Sequence, residues 1–179
     1  MRTIQQPLFT PETEWVMPEE LKNLKGSKEI AIDLETYDPH LKELGSGNVI
    51  GKGHIAGVAV AVEGWCGYYP IQHEQGGNMD RTLVIASLID ENRLSYRLDI
   101  LAKHYVGLGK DEKILNEAAK EYGVDPKKDL WRLPPMFVGQ YAERDAESTL
   151  KLWQTLHRKM HDEELMDVFK LETKLFPCL

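Results

Sequence analysis

The sequence predicts an α/β fold in which a three-strand antiparallel meander is followed by helices. Three observations carry this. Short β-branched and apolar runs occupy the chain up to Ile71. From Thr82 onward apolar residues recur at three- and four-residue spacing, the period of amphipathic helices. The two strands after Gly53 are separated by only Glu63-Gly64, a hairpin connection that makes them antiparallel.

In chain order, residues 1–27 read as a lead-in. Within it Pro18-Glu19-Glu20-Leu21 opens a short helix ended by Gly26. Glu29 to Glu35 is the first strand. Asp38 to Gly53, with four glycines, is a loop. Ile55 to Glu63 and Trp65 to Ile71 complete the meander. Helices are expected over Thr82–Glu91 and Tyr96–Val106, and over Asp111–Tyr122 with Gly123 as its C-cap. The stretch 125–138 is a proline-containing loop. A long helix runs from Gly139 to His161, carrying Leu150, Trp153, Leu156 and Met160 at helical spacing, and helix continues over 163–175.

Composition narrows the function classes. At 179 residues, 42% hydrophobic and 28% charged, the chain suits one globular domain, or one domain plus a fragment of a second. Its longest apolar run, Ile55–Val62, falls far short of the ~20 residues of a membrane helix, and the first residues lack a signal-peptide core. Two distant cysteines, Cys66 and Cys178, make neither a disulfide framework nor a metal pair, so an intracellular protein is expected. The balance of 22 basic against 29 acidic residues, net -7, is not that of a protein held to nucleic acid by charge alone. Metal-dependent nucleases nonetheless gather carboxylates at the reacting phosphate.

Two segments carry candidate chemistry. Asp33-Leu34-Glu35 ends an apolar strand, and residues two apart on a strand share a face, so both carboxylates point the same way. Such a pair can hold a hard divalent cation. Asp-x-Glu recurs at 145 and 162, so its specificity comes from the strand rather than the spacing. Tyr141 and Asp145 lie four apart on the long helix, hence on one face. A phenol with a pKa of ~10 stays protonated and can orient water. Alone, this pair also fits an ordinary amphipathic helix.

Together, Ala31-Ile32-Asp33-Leu34-Glu35-Thr36 on a first strand, the meander, Ser87–Asn92 with Ser95–Asp99, and Tyr141-Ala142-Glu143-Arg144-Asp145-Ala146 on a late helix resemble the DEDD exonuclease superfamily. This is the ribonuclease-H-like (DnaQ-like) fold in its tyrosine-bearing subclass, and the resemblance is to the proofreading domain of phage-type family A DNA polymerases. It covers roughly residues 28 to 175. It implies a 3′→5′ exonuclease domain over 28–162, with 163–179 as the start of a truncated polymerase module. It implies that Asp33, Glu35 and Asp145 hold two Mg²⁺ or Mn²⁺ ions ~3.5–4 Å apart, and that Tyr141, helped by Glu35, orients the attacking water. Leu34 and Thr36 would contact the terminal nucleotide of a single-stranded or frayed 3′ end of DNA. The implied partners are that DNA and the polymerase module, with no membrane. The implied location is the cytoplasm, the host's if phage-encoded.

The chain departs from the family between Gln72 and Thr82, where the second motif, its fourth carboxylate, a helix and a strand are expected and not found. A parallel strand needs a crossover of about a dozen residues, for which there is no room. An internal deletion with Asp80-Arg81-Thr82 as its seam is therefore expected, with weak or no activity; Asp80 is the nearby carboxylate that could stand in, but its backbone context differs from the family's. The alternatives are a non-catalytic nucleic-acid-binding remnant and an RNA-trimming nuclease. Gly51-Lys52-Gly53 lacks the residues of a phosphate loop. His157 and His161 have no Glu in metalloprotease register and suit a solvated face. Lys127-Lys128 and Trp131-Arg132 suit either single-stranded DNA or a surface loop with a buried Trp.

Overall fold

The computed structural model describes residues 7–45, 47, 50–75, 98–108 and 111–175. Their order is β1 (Ala31–Tyr37), α1 (Leu41–Leu44), β2 (His54–Val62), β3 (Trp65–Pro70), α2 (Leu98–Val106) and α3 (Lys113–Tyr122). Two 3-10 turns follow, Leu130–Arg132 and Pro135–Phe137, then α4 (Gly139–Asp162) and α5 (Met166–Leu175). The chain is α/β, with a three-stranded antiparallel sheet in the order β1-β2-β3 followed by helices. Gly64, at φ 74°, supplies the left-handed residue that closes the β2–β3 hairpin.

The strand alternation sorts the sheet into two faces. Ala31, Ala59, Ala61 and Tyr68 join Leu115, Ala118, Ala142, Ala146 and Leu150 in the larger core. Val58, Val60 and Tyr69 form a second cluster with Ile32 and Leu34 on the opposite face. Small residues meet small residues where α4 crosses the sheet, and α4 contacts all three strands. The helix thereby holds its N-terminal turns close to β1.

Gly123 caps α3 in the left-handed conformation, φ 67° and ψ 33°, as its position in the sequence implies. Leu115, Ala118, Ala119 and Tyr122 are the buried stripe of that helix. The helical segment after α4 is interrupted at Glu164, whose φ of 58° turns the chain before α5.

The lead-in differs from expectation, because residues 7–30 contain no helix. A single turn has too few hydrogen bonds to stand alone, whereas Trp15 gains a tertiary site. Its indole lies on Gly139, where any Cβ would collide with the ring. Its Nε1 donates to Glu143 Oε1 at 2.8 Å. The expected loop after β1 contains the short helix α1. The expected helix over Thr82–Glu91, Asp80, and Cys178 lie outside the described residues.

Candidate active site

Asp33 and Glu35 share the face of Ala31, which belongs to the core beneath α4. Across the ladder they stand opposite Ala59 and Gly57, and the Tyr68 ring fills the space that a side chain at Gly57 would take. A register shift follows immediately between Glu35 and Thr36. From above, α4 brings Tyr141 and Asp145, one turn apart, against the same region. Asp145 is only 5% exposed.

The Tyr141 phenol feels all three carboxylates. Burial, then the charges of Glu35 and Asp145, a hydrogen bond to Asp145 and the charge of Asp33 push its pKa far above the ordinary phenol range. It therefore keeps its proton and donates it to Asp145. Three carboxylates from β1 and α4 act on one neutral hydroxyl, an arrangement suited to holding a polarised water or a cation rather than to abstracting a proton.

A cleft opens from this point. Glu35 and Tyr141 line it together with Leu115, Pro126 and Leu130 as apolar walls and Glu112, Asn116 and Lys127 as polar groups. The Lys127 and Lys128 backbone N–H groups donate to Asp125 Oδ1 at 2.8 and 2.9 Å. Those bonds hold Asp125 below its ordinary carboxylate pKa and fix the turn that carries Lys127. Leu34, by contrast, packs into the second cluster on the far face of the sheet. Thr36 is exposed. Sequence reasoning missed Glu112 and Asn116, since nothing local links α3 to β1.

Trp131 is half-buried among rings, with Tyr37 at 4.7 Å and His54 at 5.3 Å. Neighbouring Arg132 is buried and its Nε donates to Glu74 Oε2 at 2.7 Å. This pair packs the loop before α4. His157 stacks near Trp153 at 5.0 Å and His161 is exposed. Cys66 remains a thiol, its pKa pushed up to about 11 by burial and then by Glu143 and Glu147.

Behind the carboxylates lies a buried chain of hydrogen bonds. Tyr68, fully buried, has its hydroxyl 2.7 Å from His73 Nε2, and His73 Nδ1 is 2.8 Å from the Leu133 carbonyl oxygen. A carbonyl only accepts, so Nδ1 carries the proton and donates to it. Burial lowers the His73 pKa to about 4, so the ring is neutral and Nε2 accepts from Tyr68. A lowered base pKa means that the unfolded chain binds more protons between pH ~6.5 and about 4. Stability is therefore complete above that window and falls as acid is added, by on the order of 3 kcal/mol in total. Urea midpoints measured from pH 7 to 4 should drop in the wild type and drop less in His73→Leu; parallel curves would contradict this.

The donor chemistry fits a hard divalent cation, because carboxylate oxygen is what Mg²⁺ and Mn²⁺ take. Asp33, Glu35 and Asp145 are the groups that would hold it. Among the described residues no three His, Cys, Asp or Glu side chains form a closed ligand cluster, so these carboxylates would have to draw together around an ion. Among the described residues, also, no helix is long and apolar enough to cross a membrane.

No protein-family model matches the chain. Among curated proteins it is 35% identical to a DNA-directed DNA polymerase of Pseudomonas phage M6, over 231 residues that take in 100% of this chain and 34% of that protein. It is 36% identical to DNA polymerase DpoZ of Acinetobacter phage SH-Ab 15497 over 55% of this chain, and 36% identical to DNA polymerase DpoZ of Salmonella phage PMBT28 over 54%. It spans about a third of the first of these polymerases and less than a fifth of the other two. The first alignment, at 231 residues, is longer than the 179-residue chain, so the M6 protein carries additional residues within the aligned span. The chain is thus similar, over its whole length, to a region of a phage DNA polymerase.

Proposed function

We propose that residues 28–162 are a 3′→5′ exonuclease domain of the DEDD type, on a ribonuclease-H-like (DnaQ-like) fold, within a phage DNA polymerase. In this reading residues 163–179, with α5, begin the polymerase module. The observation that carries the reading is that Tyr141 lines a cleft with Glu35, hydrogen-bonds Asp145 and feels the charges of Glu35, Asp145 and Asp33. Similarity to phage polymerases supports it independently.

The substrate is a single-stranded or frayed 3′ end of DNA. Its terminal nucleotide enters the cleft against Leu115, Pro126 and Leu130, with Lys127 at the wall to neutralise phosphate. Tyr141, permanently protonated, orients the attacking water beside Glu35. Asp145, fixed by the phenol, faces the β1 pair. A bound Mg²⁺ or Mn²⁺ supplies positive charge against the phosphate and acidifies water.

Turnover is low. The second motif with its fourth carboxylate is not found in the sequence, and catalysis here depends on positioned charge. The longer span of the M6 relative supports a loss of residues and favours a second reading, a nucleic-acid-binding remnant without catalysis. The two are separated by incubating the chain with a 5′-labelled single-stranded oligonucleotide. The exonuclease reading expects slow stepwise shortening from the 3′ end, dependent on Mg²⁺ or Mn²⁺ and stopped by EDTA. Binding without shortening supports the remnant, and shortening that survives EDTA contradicts both.

A further inference from the structure

We propose that Trp15 is a positioning residue: the lead-in that carries it straps the first turn of α4, and with it Tyr141, against the sheet. The inference rests on the site reading given above and adds to it a residue from outside the 28–162 domain. Tyr141 is in the first turn of α4, and that turn is poorly equipped to hold itself. It begins at Gly139, and glycine is among the weakest helix formers. Its N-cap is Val138, with no side-chain hydrogen bond to the first N–H groups. The turn therefore depends on contacts from elsewhere in the chain to keep one geometry.

Thr13 and Trp15 supply them. The Thr13 hydroxyl accepts from the Trp15 N–H at 3.2 Å and donates to the Met136 carbonyl oxygen at 3.2 Å, just ahead of the helix. The Trp15 indole lies on Gly139, where a Cβ would collide with it, and packs against the larger core. Its Nε1 donates to Glu143 Oε1 at 2.8 Å, and the same oxygen accepts the Tyr68 N–H of β3 at 2.8 Å. One side chain thus grips the first turn at Gly139 and the next at Glu143, and Glu143 ties the helix to the sheet. Gly139 and Glu143 share one face of α4, so the grip falls on the side away from Tyr141 and leaves the phenol to the cleft. The contact is selective, since Leu8, Phe9, Val16 and Met17 on either side of Trp15 are exposed. Glycine at 139 then has a reason: helix propensity is given up so that the indole can seat.

The test uses the full chain and reads amide hydrogen exchange by NMR. The Ala142 N–H makes the first-turn bond to the Val138 carbonyl oxygen at 3.0 Å, and the Leu150 and Leu152 amides report the middle of the same helix. In Trp15→Ala, Ala142 exchange should quicken about tenfold while Leu150 and Leu152 change by less than about twofold. The Tyr141 ring resonances should move with Ala142. Trp15→Phe, which keeps a ring over Gly139 without the N–H, should fall between. Gly139→Ala gives the signature. In the wild type it expels the indole and should quicken Ala142 exchange; in Trp15→Ala it fills the vacated space and should slow it. Shortening of the labelled oligonucleotide should fall about tenfold in either single variant and rise again in the double. A merely structural role for Trp15 predicts equal quickening of all three amides. That result, or slower Ala142 exchange in Gly139→Ala alone, overturns the proposal. A wild type that shortens no oligonucleotide removes the exonuclease reading instead and leaves exchange and the Tyr141 resonances to decide this one. Should Trp15→Ala fail to fold, Trp15→Phe and Gly139→Ala carry the same comparison, and equal quickening of the three amides in both overturns it.

Discussion

Replacing Asp33 with alanine should remove 3′-end hydrolysis by at least ~10³-fold, below detection for a slow enzyme. Asp33 shares its face of β1 with Glu35 and acts on the Tyr141 phenol, so its loss removes one of the three carboxylates that would hold the cation. The fold should survive, since the neighbouring apolar contacts of Ala31 and Ala59 are untouched. The check is the rate of shortening of the labelled oligonucleotide at equal folded concentration, established by circular dichroism. Undiminished shortening in Asp33→Ala would place the chemistry elsewhere.

Gly57→Ala should destabilise the chain by about 3 kcal/mol. A Cβ there would lie 2.6 Å from Tyr68 Cε2 and closer still to the ring's hydroxyl end. That ring cannot retreat, being fully buried and tethered to His73. Gly67→Ala provides the contrast. Its Cβ would meet the edge of the Trp65 indole at 2.6 Å, and Trp65 is only half-buried and able to move, so a cost below about 1 kcal/mol is expected. Urea unfolding of both variants measures the difference, and equal midpoints would show that Tyr68 does not press on β2 as described.

Much of this was legible in the sequence, where local chemistry decides. The Gly123 cap falls where its pattern indicates, and the strands and α4 lie within two residues of their expected bounds. Of the expected α4 stripe Leu150 is buried and Trp153, Leu156 and Met160 are half-buried, the buried face being carried by Ala142, Ala146, Leu150 and Leu152. The pairing of Asp33 with Glu35 on one face follows from strand geometry alone. So does the placement of Leu34 on the other face, where it packs, half-buried, against the second cluster and is separated from the carboxylates flanking it.

What the sequence did not reveal depends on contacts between distant segments. Residues 18–21 read as a helix by local signals, yet the lead-in is ordered by Trp15 lying on Gly139 and bonding Glu143. The Tyr68–His73–Leu133 chain joins β3 to the loop before α4, and a lone His after a strand gives no hint of it. The cleft wall from α3, with Glu112 and Asn116, is equally remote from β1 in sequence. Lys127 was visible as part of a basic pair; its place in the cleft was not.

The central claim is that Asp33, Glu35 and Asp145 form one cation site. Calorimetric titration of Mn²⁺ into the wild type and into Asp33→Ala tests it most directly, because binding is read apart from turnover. The account predicts saturable binding by the wild type and an affinity at least ~10-fold weaker in Asp33→Ala. Equal affinity in the two proteins, or no binding by the wild type, would contradict it.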